Sequence, residues 1–122
     1  MNRSLNLERP IFQQIAEKIE ESILNGSLTE GDKAPSTNEI ASFYQINPAT
    51  AAKGINQLVE QEILYKKRGI GMFVSTGARD LLVNRRKQEF YDSFIIPLKQ
   101  EAQNLNITKD ELIELIEKEA RS

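Results

Sequence analysis

The sequence contains no cysteine and no histidine. Without cysteine, the chain can form no disulfide framework, no thiol nucleophile and no thiolate metal site. Without histidine, it lacks the commonest general base and the commonest metal ligand. An enzyme would then need a carboxylate pair or a Ser-Lys site in a cleft, and the acidic residues instead follow helical-surface spacings. We therefore expect no enzymatic activity, no metal site and no cofactor.

Long apolar runs are also absent. No stretch approaches the roughly 18 apolar residues of a membrane span, and the first residues carry no run of the signal-peptide type. We therefore expect a cytoplasmic protein. The chain has 122 residues, 39% of them hydrophobic, which suits one domain, or a small domain with an appendage, around a modest core. In so short a chain, a partner chain would help to complete that core.

Charge is low overall but unevenly distributed. The formal net charge of −2 argues mildly against a nucleic-acid partner. The acids concentrate near the two ends of the chain, and a local basic patch is compatible with DNA binding because binding follows the local field. Between positions 46 and 75 the charged residues are Lys53, Lys66, Lys67 and Arg68 against Glu60 and Glu62.

The first helix is predicted from its apolar periodicity. Isoleucine recurs every four residues from Ile11 to Ile23, which predicts an amphipathic helix that starts at Pro10 and ends at Asn25-Gly26. Plain core packing explains this stripe.

Two further helices are predicted from their caps. A capping-box spacing from Ser36 to Glu39 opens a short second helix through Tyr44. Asn47 as N-cap and Pro48 at the first helical position open a third helix, which runs to about residue 62. The third helix is polar in front and apolar behind, and a link of a few residues joins it to the second. This arrangement indicates a helix-turn-helix over about residues 37–56.

A β-hairpin is predicted directly after the third helix. Residues 63–65 and 72–74 are short strands, and residues 66–71 form a turn whose two glycines permit a tight reversal. The tip is cationic where it meets solvent. One interpretation is a surface hairpin with solubilising charges. Because the hairpin follows a helix-turn-helix, we favour a wing over residues 63–75 that contacts phosphate or the minor groove.

Residues 78–122 are predicted to form a helical tail, with Gly77 as the hinge. Pro97 should kink or divide its first helix, and a capping box from Thr108 to Glu111 opens its last helix. An aromatic cluster in the tail could line a ligand pocket, but two helices cannot enclose a sizeable pocket and also bury their own apolar stripes. We therefore predict a helical dimer interface. Its residues are Leu82, Val83, Phe90, Tyr91, Phe94, Leu98, Leu105, Leu112, Leu115 and Ile116.

The stretch from Phe12 to Val74 resembles the DNA-binding domain of the GntR family of bacterial transcription regulators. The short two-helix tail and the Asn-Pro-x-Thr opening of the third helix are similar to the YtrA subfamily. Many family members have arginine in place of Asn38 and Pro48, which implies different base preferences here. The resemblance rests on the order of the elements and on Gln14-Ile15-Ala16, Gly31-Asp32, Pro35-Ser36, Glu39-Ile40-Ala41 and Gly69-Ile70-Gly71-Met72-Phe73-Val74.

The resemblance implies both a fold and a set of DNA contacts. We predict a mostly α-helical protein with a small β-hairpin (α+β), in which a winged helix-turn-helix (1–77) precedes a two-helix dimerisation tail (78–122). The predicted contacts lie at the start of the second helix, along the third helix as the recognition helix, and in the wing. They are Ser36, Thr37, Asn38, Asn47, Pro48, Ala49, Thr50, Lys53, Lys66, Lys67, Arg68, Gly69 and Ile70.

The implied function is a sequence-specific DNA-binding transcriptional regulator. We expect a homodimeric repressor that places the helix starting at Asn47 in each half of a palindromic double-stranded operator and occludes polymerase at a nearby operon, often one for membrane transporters. A small-molecule effector is compatible with this interpretation, although no residue identifies one. The alternative is a winged helix for protein–protein contact, which the net negative charge and the missing arginines slightly favour. A protein-docking wing, however, should carry an apolar face rather than a cationic tip.

Overall fold

The fold consists of helices, one hairpin and then further helices. The computed structural model describes residues 5–120. The predicted class, mostly α-helical with one antiparallel hairpin, is confirmed. The chain divides into two compact units, one ending at Asn84 and the other beginning at Arg85. The elements are α1 (Ile11–Leu24), α2 (Thr37–Tyr44), α3 (Pro48–Glu60), β1 (Leu64–Lys67), β2 (Gly71–Val74), α4 (Ala78–Phe90), a π-helical turn (Tyr91–Ile95), α5 (Ile96–Asn104) and α6 (Lys109–Glu117).

The core of the first unit contains the apolar faces of α1 and α3. Ile15, Ile19 and Ile23 of α1 are buried in one cluster with Ile55 and Leu58 of α3. The four-residue spacing aligns the isoleucines on a single helical face. Burial of each such side chain contributes about 1.5–3 kcal/mol. The amphipathic stripe predicted for the first helix is thus confirmed as core packing.

Helix α3 approaches α1 closely at Gly54. A β-carbon added at Gly54 would lie 2.7 Å from the carbonyl oxygen of Phe12 and 3.1 Å from the β-carbon of Ile15. No real β-carbon tolerates the first of these distances, so the approach requires glycine at this position. The position of α3 against α1 therefore depends on the absence of a side chain at residue 54.

The predicted helix caps are confirmed. Ser36 and Glu39 form both bonds of a capping box, each with a donor–acceptor distance of 3.0 Å. Gln45 then adopts a left-handed conformation with φ of 55°, which turns the chain sharply after α2. Asn47 caps α3 immediately afterwards. These local bonds fix the tight joint of the helix-turn-helix.

A backbone segment beside the hairpin pairs with β2, and the sequence does not predict this pairing. In the hairpin itself, Leu64 pairs with Val74 and Lys67 with Gly71. On the other side of β2, the Gly31 N–H donates to the Val74 carbonyl at 2.8 Å, and Lys33 forms an isolated β-bridge with Phe73. Residues 31–34 therefore add backbone bonds to the hairpin. This pairing anchors the hairpin to the rest of the first unit.

The structure corrects the sequence prediction that Leu82 lies at a dimer interface. Leu82 is completely buried, with Ala78, in the core of the first unit. The first unit accordingly reaches past residue 77 to Asn84. Two bonds hold this segment: the Gly77 N–H donates to the Glu30 carboxylate at 2.6 Å, and the Arg79 guanidinium donates to the Leu24 carbonyl at 3.3 Å. Leu82 is thus unavailable to a partner chain.

The second unit contains the predicted helix break and the predicted cap. A π-helical turn over Tyr91–Ile95 precedes Pro97, which lies in the first turn of α5. The wider turn accommodates a proline that lacks a donor and would crowd the preceding turn of a regular α-helix. Thr108 and Glu111 form the second capping box, with bonds of 3.2 and 3.1 Å. Across residues 5–120, no helix has the length and apolar character needed to cross a membrane.

Gly54→Ala should destabilise the protein. Alanine is the better helix former by about 1 kcal/mol, but its β-carbon would collide with a backbone carbonyl that cannot move aside cheaply. We expect the free energy of unfolding, measured by urea denaturation, to fall by about 1–3 kcal/mol. Asn56→Ala, at an exposed position of the same helix, controls for helix propensity. A Gly54→Ala midpoint at or above that of the natural sequence would contradict this account of the α1–α3 contact.

Candidate nucleic-acid interface

The first turn of α3 presents small and polar groups to solvent. The Asn47 side-chain oxygen accepts the Ala49 N–H at 2.8 Å, and Pro48 fills the first helical position, where a missing donor costs nothing. Asn47, Pro48 and Ala49 are exposed, and Thr50 is half-buried. The opposite face, beginning at Ala51, is buried in the core. A helix with small polar residues on its exposed face and a buried opposite face can enter a DNA groove.

Lys53 extends this exposed face by one helical turn. Its side chain is exposed, and its ammonium nitrogen lies 4.1 Å from the centroid of the Phe12 ring on α1. A cation over an aromatic face at this distance is attracted by the ring quadrupole. The apolar periodicity of α1 does not predict this contact. Phe12 thus holds the side chain of Lys53 in a defined place.

The start of α2 is a second polar surface. Ser36 and Thr37 are half-buried and Asn38 is exposed. The first turn of a helix leaves backbone N–H groups and a positive dipole end that suit a phosphate.

The pKa of Glu39 lies below its ordinary value, chiefly because its carboxylate accepts the Ser36 N–H and bonds the Ser36 side chain, with a smaller contribution from the charge of Lys33.

The tip of the wing is a tight, exposed turn. The Ile70 N–H donates to the Lys67 carbonyl at 2.9 Å, and Gly69 has φ of 78°, which a residue with a side chain adopts only with strain. Arg68 and Lys66 are exposed, and the apolar Ile70 side chain is 61% exposed. The turn therefore presents cations together with one apolar group, a combination that can reach phosphates and a groove floor.

One face of the sheet combines aromatic rings with lysines. Tyr65 and Phe73 are register partners, and their rings stack with centroids 5.8 Å apart. The Lys67 ammonium nitrogen lies 4.4 Å from the centroid of the Phe73 ring. Lys33, which bridges to Phe73 from the other side of β2, crosses Gly71 on the same sheet. The sequence predicts Lys67 as a DNA contact but gives Lys33 no role. Lys33 reaches this face through its pairing with Phe73, a tertiary contact that the sequence does not reveal.

The predicted DNA contacts all belong to the first unit, where each is exposed or half-buried. Among the predicted interface residues, Leu82 is buried, Val83 and Leu112 are half-buried, and the others are exposed. In the part of the chain that the structure describes, no group of three or more acidic residues is placed to hold a metal ion.

Two capped helices joined by a tight turn and followed by a cationic hairpin define a winged helix-turn-helix DNA-binding protein. Residues 11–74 match the family described as bacterial regulatory proteins, gntR family. The chain belongs to the GntR family, as its sequence motifs predict.

Three similar proteins support the assignment. The HTH-type transcriptional repressor YtrA of Bacillus subtilis is 36% identical over 74 residues, which cover 61% of this chain and 57% of that protein. A GntR family transcriptional regulator from Listeria monocytogenes shares 29% identity at a TM-score of 0.78, over 95% of this chain and 100% of that chain. The DNA-binding domain of AraR, solved with operator ORX1, shares 30% identity at a TM-score of 0.53, over 62% of this chain and 93% of that chain. The predicted class, a DNA-binding transcriptional regulator, is confirmed.

The α2 cap should make stability depend on the charge of Glu39. Because folding lowers the pKa of this carboxyl, its contribution is complete above the pKa of the unfolded chain and is lost as the pH falls through the folded pKa. Glu39→Gln keeps a hydrogen-bond acceptor and removes the charge. We expect this variant to be less stable than the natural sequence at neutral pH, and the difference to shrink below about pH 4.3.

Chemical denaturation at several pH values measures this difference. Glu60→Gln removes a carboxylate at the exposed end of α3 and controls for net charge. A difference between Glu39→Gln and the natural sequence that stays constant from neutral to acid pH would show that the charge of Glu39 does not support the cap.

Proposed function

We propose that this chain is a homodimeric repressor that binds a palindromic operator through α3 and the wing. The observation that carries the proposal is that the first unit combines three surfaces that suit DNA. Its recognition helix has a buried back and a small polar front, and the same unit carries a capped helix N-terminus and a cationic hairpin tip. Each of these three surfaces suits a different part of a DNA duplex.

In this proposal, α3 reads base edges in the major groove. Asn47 divides its side chain between capping α3 and contacting DNA, and Thr50 and Lys53 supply the remaining polar groups of the front. Ala49 cannot form a hydrogen bond with a base, but its methyl group can pack on the methyl group of thymine. Pro48 stands where many relatives have arginine, so base preference here depends on small groups and on Lys53.

In this proposal, contacts with the DNA backbone supply most of the affinity. The start of α2, with Ser36, Thr37 and Asn38, faces one phosphate as a helix N-terminus. Arg68, with the Gly69-Ile70 turn, reaches a second stretch of backbone or the minor groove, with Lys66 and Lys67 adding positive potential. These contacts release counterions whatever the sequence, so they position the protein while α3 specifies the site.

The second unit supports pairing with another copy of the chain. Phe94, Leu105 and Ile116 are 63%, 62% and 75% exposed in the single chain. A set of large apolar side chains this exposed is typical of a surface that a partner covers. Two copies related by a twofold axis would present two recognition helices, which explains a palindromic operator. The proposed interface residues of the second unit are Phe90, Tyr91, Phe94, Leu98, Leu105, Leu112, Leu115 and Ile116.

Repression would follow from occlusion of polymerase at the operator, in the cytoplasm, where the chromosome lies. We propose no enzymatic activity, since regulation needs DNA binding alone. The alternative of a protein-docking winged helix finds no support among the relatives, which are regulators of transcription. A small-molecule effector stays open, because the residues define no effector chemistry.

Lys53→Ala should weaken operator binding by about 1–3 kcal/mol if Lys53 reads a base, and should relax sequence preference. The operator can be selected in vitro from a pool of random duplexes, and affinities can be measured by gel-shift titration. Lys99→Ala, at an exposed position of α5, removes the same charge outside the proposed interface. Equal affinity and equal sequence preference for Lys53→Ala and the natural chain would refute the role of Lys53.

Phe94→Lys should convert a dimer into monomers. A charge placed in the centre of an apolar interface loses its hydration without gaining a partner, whereas at an exposed position of a single chain it costs little. Sedimentation measures the outcome, with Gln103→Lys as a control at an exposed polar position of α5. A dimer that persists in Phe94→Lys would remove this face from the proposal. A substitution is a cleaner test than truncation after Gly77, which would delete Ala78 and Leu82 from the core of the first unit.

A further inference from the structure

Lys33 occupies a position that the sequence alone does not mark as functional. Its backbone forms an isolated β-bridge with Phe73 on β2. Its side chain is exposed and crosses Gly71, since a β-carbon added at Gly71 would lie 2.8 Å from the Lys33 Cε. The aliphatic part of Lys33 therefore rests over a strand residue that has no side chain, and its end lies beside the residue where β2 leaves the turn of the wing.

A second lysine approaches the same region from the opposite strand. Lys67 is the register partner of Gly71, and partners in an antiparallel pair project to the same face of a sheet. The ammonium nitrogen of Lys67 lies over the ring of Phe73. Lys33 and Lys67 thus stand on the two sides of β2, and their positive charges flank one half-buried strip of the sheet.

The charge of Lys33 also acts at the start of α2. Its positive charge contributes to lowering the pKa of Glu39, after the bonds with Ser36. The Glu39 carboxylate is itself bound by the Ser36 N–H at 3.0 Å, and the neighbouring Asp32 carboxylate accepts the Thr29 N–H at 2.9 Å. Both carboxylates therefore accept hydrogen bonds from backbone N–H groups. Among residues 5–120, the Lys33 ammonium group forms no ion pair of its own.

We propose that Lys33 binds a DNA phosphate and joins the contact made by the wing to the contact made by the start of α2. This inference deepens the proposed DNA-binding function and rests on it. A compact ammonium group on a flexible stem suits a phosphate better than the bidentate recognition of a base. Its side chain crosses Gly71 and its backbone lies three residues before Ser36, the N-cap of α2, so Lys33 stands between two surfaces that already suit the DNA backbone.

Gly71 makes this arrangement possible. Its φ of 144° favours glycine, and any side chain there would occupy the space through which Lys33 passes. The absence of a side chain at Gly71 thereby leaves a path for the Lys33 side chain.

Lys33→Met tests the proposal, because methionine keeps an unbranched stem across Gly71 and removes the charge. The affinity of the full-length protein is measured for two duplexes of unrelated sequence across a salt titration. We expect the slope of log K against log salt concentration to become shallower by about 0.9 for each bound subunit. Affinity should fall about eightfold per subunit at about 0.1 M salt, equally on both duplexes.

Lys33→Arg should restore the slope, because it restores a positive charge on a long stem. Lys99→Met, on the exposed surface of α5, should leave the slope unchanged and so controls for net charge. Lys33→Gln provides a second neutral variant, and thermal unfolding of each variant shows that the fold is retained.

An unchanged slope in both neutral variants would overturn the proposal for Lys33. A loss confined to one of the two duplexes would also overturn it, because it would indicate base recognition. If the natural chain bound neither duplex even at low salt, the proposed DNA-binding function would itself fail. If the natural chain bound both and Lys53→Ala impaired the operator while the Lys33 variants did not, the proposed function would stand and the inference for Lys33 would fall.

Discussion

The proposed DNA-facing surface depends on the close approach of α3 to α1 at Gly54. Because residue 54 has no side chain, the α3 backbone lies against the Phe12 carbonyl and the Ile15 side chain. The same approach lets the Phe12 ring meet the ammonium group of Lys53. One contact between two helices therefore supports both the core and the position of a cation on the outer face. In the proposed function, recognition and stability are coupled at this contact.

The wing depends on a comparable constraint. A two-stranded hairpin is marginally stable alone, and here the backbone of residues 31–34 adds bonds from Gly31 and Ala34 to β2. That segment leads into the capped start of α2. The hairpin and the helix-turn-helix are thus joined by backbone pairing as well as by side chains, and the two surfaces that suit phosphate belong to one compact unit.

Local signals predicted the parts of the fold that local interactions determine. The capping boxes at Ser36 and Thr108 and the cap at Asn47 rest on bonds between residues two or three apart, and the sequence predicted all three. The wing could be predicted because glycines and cations mark its turn. Family resemblance, carried by short motifs, added the DNA-binding function.

Tertiary contacts lay beyond the reach of the sequence. Leu82 fits the apolar stripe of the tail as well as it fits the core, and only the burial of the first turns of α4 in the first unit decides between them. Lys33 and Phe12 meet their partners, Phe73 and Lys53, from more than thirty residues away along the chain. The residues around Lys33 and the apolar stripe of α1 carry no local sign of such partners.

For Lys53, the Phe12 ring also has a thermodynamic consequence. Ordering a free lysine costs up to about 2 kcal/mol of rotamer entropy. A side chain that already rests on a ring has lost part of that entropy during folding, so the contact that we propose between Lys53 and DNA would cost less.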